Sequence, residues 1–283
     1  MENFNTEQLT DGIHFNIPFD TYVKWDALSN SKLSLFAKSP LHFKRLSNYS
    51  DSKTDSQIFG TAVHTAIFEP ERFRREYIVK PEDINRRTKE GKEAYSMLVD
   101  QHGEDKILSS DDYQHIMGMQ DSARSHPIAG QMLKEITANE VSLLWTRGNT
   151  QFKGRIDAIG KGILIDLKTT QSAESRKFQS SFFKYGYHRQ AAFYLQGAKR
   201  LKLVTNGIVF IAIEKTPPYA LALFQPSHGV ITAAAAELES LILQYHQCKS
   251  SNQWPGYPEM IQDVSMPDWM TEEFTNLEGE ENE

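Results

Sequence analysis

The run GRIDAIGKGILIDLKTT, residues 154–170, constrains the fold of this chain more than any other stretch. Arg155-Ile156-Asp157-Ala158-Ile159 and Ile163-Leu164-Ile165-Asp166-Leu167-Lys168 are short apolar runs on either side of Gly160-Lys161-Gly162. That is the pattern of a hairpin with buried strands. Each run nevertheless carries a carboxylate in its middle, and buried charge is costly unless it is paired or holds a metal. Side chains two apart on a strand share a face, so Asp166 and Lys168 point the same way, and the hairpin brings the strand of Asp157 alongside. Two carboxylates therefore converge with an ammonium beside them. Hard oxygen ligands in that arrangement suit Mg2+, which keeps several waters and takes one or two protein carboxylates. A lysine next to bound water can orient it or help deprotonate it, which is the equipment of phosphodiester hydrolysis. Taken alone, D-x-K is a weak signal, better accounted for by a buried Asp–Lys pair with Asp157 held by backbone amides; it is the surrounding motifs that change this.

The hairpin sits in a chain whose texture changes along its length. Residues 1–28 read as irregular. Ser29 to Leu46 reads as a helix capped by Ser29 or Ser31 and broken at Pro40. Ile58 to Phe68 is helical in pattern, 79–91 is a polar loop, and helices are expected over 92–101, 111–124 and 127–136. Three short strands follow at 140–147, 151–159 and 162–169, expected as an antiparallel meander. Phe178 to Arg200 reads as one long helix, 207–214 and 219–225 as two strands, and 229–248 as a last helix. The expected organisation is one α/β domain over 29–250 with a helical N-terminal part and a mixed central sheet flanked by helices. An acidic, partly disordered tail is expected over 251–283.

The formal charge of −6 argues at first against a nucleic-acid partner, but its distribution reverses that. Residues 259–283 hold nine acids and no Lys or Arg, and without them the rest of the chain carries +3. Residues 71–92 contain eight Lys/Arg against five acids, and 168–202 eight against one. A basic face can grip phosphates whatever the overall sign. The candidates are Arg74, Arg75, Arg86, Arg87, Lys89 and Lys92 around the polar loop, and Arg176, Lys177, Lys184 and Arg189 close in sequence to the charged hairpin; a solvated helix face accounts for such runs equally well. The single cysteine, Cys248, excludes a disulfide framework and a four-cysteine iron–sulfur or zinc site built from this chain alone. Gly160-Lys161-Gly162 lacks the frame of a phosphate-binding P-loop, so no nucleotide is expected. The start of the chain shows no secretory leader or long apolar run, and a cytoplasmic protein with no membrane association is expected.

Two further pairs join the carboxylates. In FGTAVHTAIFE, Gly60 and His64 lie four apart on one helix; a small residue at Gly60 permits close backbone approach, and His64 can offer an imidazole to a metal. In YHRQAAFYLQG, Gln190 and Tyr194 share a helix face, where Gln190 can hold a water or brace Lys168 and Tyr194 can support a phosphate. Each pair is also compatible with ordinary polar decoration of a packed helix.

In order along the chain these motifs are G-x-x-x-H, G-x-h-D, h-D-h-K and Q-x-x-x-Y, at Gly60/His64, Gly154/Asp157, Asp166/Lys168 and Gln190/Tyr194. This order resembles the PD-(D/E)xK nuclease superfamily in its RecB-like branch, over about residues 29–225. LSNSKLSLFAKSPLHFKRL, FGTAVHTAIFEP and NRRTKEGKEAY look like the phage and prophage RecE (exonuclease VIII) group. The resemblance implies a PD-(D/E)xK core and an ATP-independent exodeoxyribonuclease on linear double-stranded DNA. It implies His64, Asp157, Asp166 and the Leu167 carbonyl as ligands of Mg2+, for which Mn2+ substitutes. It also implies Lys168 on the attacking water, and Gln190 and Tyr194 in support. Digestion 5′→3′, a ring-shaped homo-oligomer (typically a tetramer) and a RecT-type single-strand annealing recombinase as partner belong to the same implication. Several RecB-like relatives carry Cys-Pro where this chain has Ser39-Pro40, so no iron–sulfur cluster is expected. The acid of h-D-h-K is Asp166 rather than the commoner Glu. Glu140 is either a further acidic member of the site or a surface residue. Outside this reading stand a structure- or site-specific endonuclease on the same core and a catalytically silent DNA-binding or assembly protein.

Overall fold

A computed structural model of the chain describes residues 10–47 and 54–265. Its N-terminal part runs β1 (Gly12–His14), α1 (Phe19–Lys24), β2 (Leu28–Ser29), α2 (Asn30–Lys38), α3 (Pro40–Leu46), α4 (Asp55–Phe68), α5 (Pro70–Glu76), β3 (Ile78–Val79), α6 (Lys89–His102), β4 (Ile107–Leu108), α7 (Ser110–Ser125) and α8 (Pro127–Lys134). The rest runs β5 (Ile136–Arg147), β6 (Thr150–Gly160), β7 (Ile163–Thr170), α9 (Ser175–Lys184), α10 (Tyr187–Arg200), β8 (Gly207–Glu214), β9 (Leu221–Phe224) and α11 (His228–Ser251).

Helix starts follow the capping residues. The Ser29 hydroxyl accepts from the Lys32 amide and opens α2, Ser39 accepts from the His42 amide and opens α3 with Pro40 in its first turn, and Thr54 and Gln57 form a reciprocal capping box on α4. The expected break at Pro40 is there, and Ser39-Pro40 serves as a helix start.

The mixed sheet has the order β1-β5-β6-β7-β8-β9, with β2 parallel to β6. β5, β6 and β7 form the expected antiparallel meander, and β7 and β8 run parallel with α9 and α10 between them in sequence. One core lies under α2, α3, α9, α10 and α11, and a second lies on the other face under α4, α5, α7 and α8. The architecture is a mixed sheet flanked by helices. Among the described residues no helix is long and apolar enough to cross a membrane.

Three expectations change. The long helix over Phe178–Arg200 is two, because Gly186 adopts a left-handed backbone (φ 72°) and turns the chain between α9 and α10. A side chain there would strike the Arg189 guanidinium at 2.4 Å, so glycine serves both the turn and the packing. The segment expected to be irregular at the N-terminus contributes β1, which pairs with β5 at Gly12↔Leu144, and α1. Beyond α11, Trp254 stacks on Phe43 (centroids 5.6 Å apart, 11° between planes), and the Leu41 amide donates to the Pro255 carbonyl at 3.0 Å. The tail thus begins with residues packed on α3; the acidic run 276–283 lies outside the described residues.

Lys153 on β6 fixes α1 to the sheet. The residue is 4% exposed, and its ammonium donates to the carbonyls of Tyr22, Val23 and Trp25 at 2.9, 2.9 and 2.8 Å. Three donors meet three acceptors, so the charge is hydrogen-bonded throughout. Lys153→Met keeps the length of the side chain and removes the donors. It is expected to lower stability by about 1–3 kcal/mol and to open residues 18–27 to proteolysis before the rest of the domain. Thermal denaturation with limited proteolysis checks this, and an unchanged cleavage pattern would mean that the ammonium does not hold α1.

Candidate active site

The site forms where β7 parts from β6. The two strands pair only at Ala158↔Ile165, Ile159↔Leu164 and Gly160↔Ile163. β2 occupies the same edge of β6 farther back, at Phe152 and Lys153. Residues 154–157 of β6 are left between, and Asp157 lies there. Beyond Ile165 the β7 backbone turns to the Asp157 side chain, and the Leu167 amide donates to Asp157 Oδ2 at 2.8 Å. The alternation of β6 also slips at this point: Ile156 packs in the core under α10 and Ala158 in the core under α4.

β5 bends at the same level. The pairs Val141↔Ile156 and Asn139↔Ala158 put Glu140 across from Asp157, and Glu140 has a left-handed backbone (φ 51°). A non-glycine residue in that region is uncommon, and such strain gathers at functional sites. Arg155 Nε donates to Glu140 Oε2 at 2.5 Å and Nη1 to the Ile17 carbonyl at 2.8 Å, which steadies the bend.

α4 lies over this opening and is tied there by its C-terminal carbonyl at Phe68, which accepts from Asn139 Nδ2 at 3.1 Å. His64 Nδ1 stands 3.3 Å from Asp157 Oδ2. Ligand atoms of His64, Glu140 and Asp157 all lie within 4.8 Å of one another. One imidazole nitrogen and two carboxylates at that spacing form a donor set for a hard or borderline divalent cation.

Asp166 and Lys168 adjoin this set on the α10 face of β7. Asp166 is 1% exposed; its Oδ1 lies 2.5 Å from Lys168 Nζ, and its Oδ2 accepts from Gln190 Nε2 at 2.9 Å. The same Gln190 amide donates to the Tyr194 hydroxyl at 3.2 Å. Tyr194 is buried, with its ring against Gly154: a Cβ on Gly154 would sit 3.1 Å from Tyr194 Cε1. The glycine of G-x-h-D is therefore explained by the ring of Q-x-x-x-Y, and Tyr194 braces the site from behind instead of facing a phosphate.

Electrostatics explain why such a site wants a cation. Burial first, and then the Asp166 charge, push the Asp157 carboxyl well above its ordinary range. Burial pulls His64 down despite the opposing pull of Asp166, which favours the neutral imidazole, the form whose lone pair can ligate. Burial alone would depress Lys168, but Asp166 and Asp157 outweigh it and hold the ammonium above its ordinary value. Burial raises Tyr194 well above an ordinary phenol, and Asp166 adds to that. A divalent cation among His64, Glu140 and Asp157 would offset the burial and the Asp166 repulsion that together raise Asp157, so the residues present fit the group.

Of the expected ligands, His64 and Asp157 come together. Asp166 lies beside them, engaged by Lys168 and Gln190, and Glu140 joins His64 and Asp157 in the cluster. The only sequence signal for Glu140 was an acid at the start of a strand; its meeting with Asp157 depends on the register of β5 and β6. A Cβ at Gly60 meets nothing within 4 Å, so no part of this chain requires that glycine. Among the basic candidates, Arg189 is withdrawn: its side chain is 15% exposed and its Nη1 donates to Glu237 on α11 at 2.7 Å. Arg74 pairs with Glu71, Arg75 reaches Glu76 at 3.5 Å, Lys89 reaches Glu93 at 4.0 Å, and Arg86 lies 4.1 Å from the Tyr95 ring centroid. Arg87 and Lys92 are exposed near them, and Arg176, Lys177 and Lys184 are exposed on α9, just after the catalytic-candidate strand.

Asp157→Asn tests the electrostatics without chemistry. A carboxyl raised in the folded state stabilises the fold in acid and loses that stability as pH rises through its folded value. The metal-free wild type should therefore soften relative to the asparagine variant as pH rises from about 4, the ordinary carboxyl value, through the raised value of the folded state. The variant should melt higher at pH 8, by about 2–4 °C for each kcal/mol relieved. A divalent cation should raise the melting temperature of the wild type at pH 8 and leave the variant nearly unmoved. An equal rise in both proteins would remove Asp157 from the donor set.

Comparison with other proteins places this geometry. A crystal structure from Eubacterium rectale described as "Putative exonuclease" superposes with a TM-score of 0.59 at 13% identity, covering 90% of this chain and 96% of that one. At that identity the likeness is one of fold. SSO0001 (TM-score 0.28, 18% identity, 76% of this chain and 86% of that one) and VC1899 from Vibrio cholerae (0.22, 13%, 83% and 57%) are more distant. No curated protein matches in sequence. Residues 29–266, which include every member of the site, match the family described as "PDDEXK-like domain of unknown function (DUF3799)", and the chain belongs to that family.

Proposed function

We propose that the chain is a divalent-metal-dependent exodeoxyribonuclease of RecE type. It hydrolyses linear double-stranded DNA from 5′ to 3′ without a nucleotide and leaves a 3′ single strand for an annealing recombinase of RecT type. Mg2+ is its cation and Mn2+ substitutes. In this reading it works as a ring-shaped homo-oligomer, a tetramer, with duplex entering the channel. The observation that carries the nuclease reading is the His64–Glu140–Asp157 donor set beside the buried Asp166–Lys168 pair, in a chain of a PDDEXK-like family.

Each residue has a task in this reading. His64, Glu140 and Asp157 hold the cation, with Asp166 and the Leu167 carbonyl available to complete the set. A divalent cation held by these residues would supply polarisation of the scissile phosphate and a water made nucleophilic near neutral pH. Lys168, kept as an ammonium by its carboxylates, orients the attacking water by donating to it and offsets charge that develops on the phosphate. Gln190 and Tyr194 keep Asp166 from rotating. Arg176, Lys177 and Lys184 on α9 grip backbone phosphates, which gives affinity without sequence reading, as an end-degrading enzyme requires.

The test is incubation with linear duplexes labelled at either 5′ or 3′ ends, beside covalently closed circular duplex, in Mg2+, Mn2+, Ca2+ or chelator. The 5′ label should be released first in Mg2+ and Mn2+, and the circle should survive. Ca2+ should support little cleavage, because its longer, looser coordination spoils the positioning that in-line attack needs. Cutting of the circle would make the protein an endonuclease, and DNA binding with no cleavage in any metal would make it a silent binding protein.

A further inference from the structure

Beside the site the chain exposes aromatic surface that the metal chemistry does not use. Tyr185 is 58% exposed and Phe183 46% exposed, on the last turn of α9 and just beyond it. The turn holds these rings toward solvent: Gly186 is left-handed, and the Arg189 guanidinium fills the space where a Cβ would go. Arg189 is in turn clamped by Glu237, so Tyr185 stands on a rigid corner.

The corner leads to the candidate chemistry through contiguous contacts. The Tyr185 ring centroid lies 5.9 Å from that of Tyr187, the Tyr187 centroid lies 4.6 Å from Lys168 Nζ, and Lys168 Nζ lies 2.5 Å from Asp166 Oδ1. Cations accompany the rings: Lys184 Nζ is 5.6 Å from the Tyr185 centroid, and Arg176 and Lys177 are exposed on the same helix. The stretch 168–202 has eight cations and a single acid, Glu174. Flat apolar rings interleaved with cations suit a single nucleic-acid strand, whose bases stack and whose phosphates pair. The interior of a duplex hides its base faces in the stack and offers none to Tyr185. A strand parted from its complement at a duplex end offers a free base face.

We propose that Tyr185 is the platform on which an unpaired base of the DNA strand stacks, one step from the nucleotide whose phosphate reaches Lys168. Tyr187 continues the platform inward, and Lys184 holds the phosphate beside the stacked base. The platform makes the site selective for a frayed end over an intact duplex interior. This assignment rests on the nuclease reading above and adds to it the residue that recognises the parted strand.

The probe is a duplex carrying 2-aminopurine at an unpaired terminal position, bound by the Asp166→Asn protein in Mg2+ so that the DNA stays whole. Stacking on Tyr185 is expected to quench the fluorophore. Tyr185→Ala in the same background is expected to abolish the quench and weaken binding about 5- to 150-fold, the range for loss of one stacked base. Tyr185→Phe and Tyr185→Trp should keep both. A fully paired duplex with 2-aminopurine in its interior should bind with no Tyr185-dependent quench. Tyr185 is exposed, so the alanine variant should melt like its parent, and a merely structural role would not move the fluorescence. If the parent binds DNA but Tyr185→Ala binds and quenches equally, the platform is overturned while the nuclease reading stands. If the parent does not bind DNA at all, the nuclease reading fails and the platform with it.

Discussion

Asp166→Asn is expected to reduce DNA cleavage by about a thousandfold or more in saturating Mg2+, equivalent to about 4 kcal/mol of transition-state stabilisation. Asp166 is at the junction of two systems. Its Oδ1 faces Lys168 at 2.5 Å and its Oδ2 accepts from Gln190 at 2.9 Å. Asparagine has the same shape, and its carbonyl can still accept from Gln190. It turns an amide toward Lys168, however, and removes the charge that holds the ammonium in place. The water loses its positioning donor, and the site loses a carboxylate next to the donor set of His64, Glu140 and Asp157. DNA affinity should change by a few-fold at most, because the phosphate contacts proposed for α9 do not involve Asp166. Single-turnover cleavage of a labelled duplex, together with an affinity measurement, separates the two quantities. Turnover close to wild type would show that Asp166 takes no part in the chemistry.

Lys168→Met should lose both activity and stability, and for different reasons. The Lys168 side chain is 17% exposed and that of Asp166 is 2% exposed. Removing one partner of a buried pair leaves the other charge uncompensated, at a cost of about 3–5 kcal/mol. At about 2–4 °C per kcal/mol for a domain of this size, the melting temperature should fall by about 10 °C. The variant combining Lys168→Met with Asp166→Asn has no stranded charge, so it should recover most of that loss and none of the activity. The signs fix the pH range of the comparison. The carboxylates hold Lys168 above its ordinary value, so the share of stability that depends on its ammonium is fully present at neutral pH and is lost only above the ordinary lysine range. Measured at pH 8, equal melting temperatures for wild type and Lys168→Met would refute a buried, stabilising pair. A double variant as unstable as the single one would place the damage in packing instead of charge.

Much of this site is local and could be read from the chain. Alternation along 163–168 places Asp166 and Lys168 on one face, and the Gly160-Lys161-Gly162 turn brings Asp157 back beside them; both facts belong to a stretch of 17 residues. The same holds for the start of α2, where Ser29 caps the backbone three residues on, whereas α4 opens at Asp55 under a Thr54 cap, three residues ahead of the apolar pattern that begins at Ile58. The order of the four motifs then pointed to a PD-(D/E)xK core, and the family of residues 29–266 agrees with it. What the chain did not reveal depends on contacts between distant elements. Glu140 faces Asp157 because β5 bends at a left-handed residue, and periodicity along a strand carries no record of its register with the next. Arg189 carries the same charge as Lys184, but the docking of α10 on α11 gives it to Glu237 and leaves Lys184 in solvent. The break at Gly186 interrupts a pattern that stays amphipathic on both sides, so only the turn itself shows where the helix ends and why Tyr185 faces outward. Sequence by itself determined which chemical groups this protein owns and, where alternation holds as along β7, the face each takes within its own element. Tertiary structure decided which of them meet, because hydrophobic burial sets the packing of helices on the sheet and is indifferent to the polar groups it carries along.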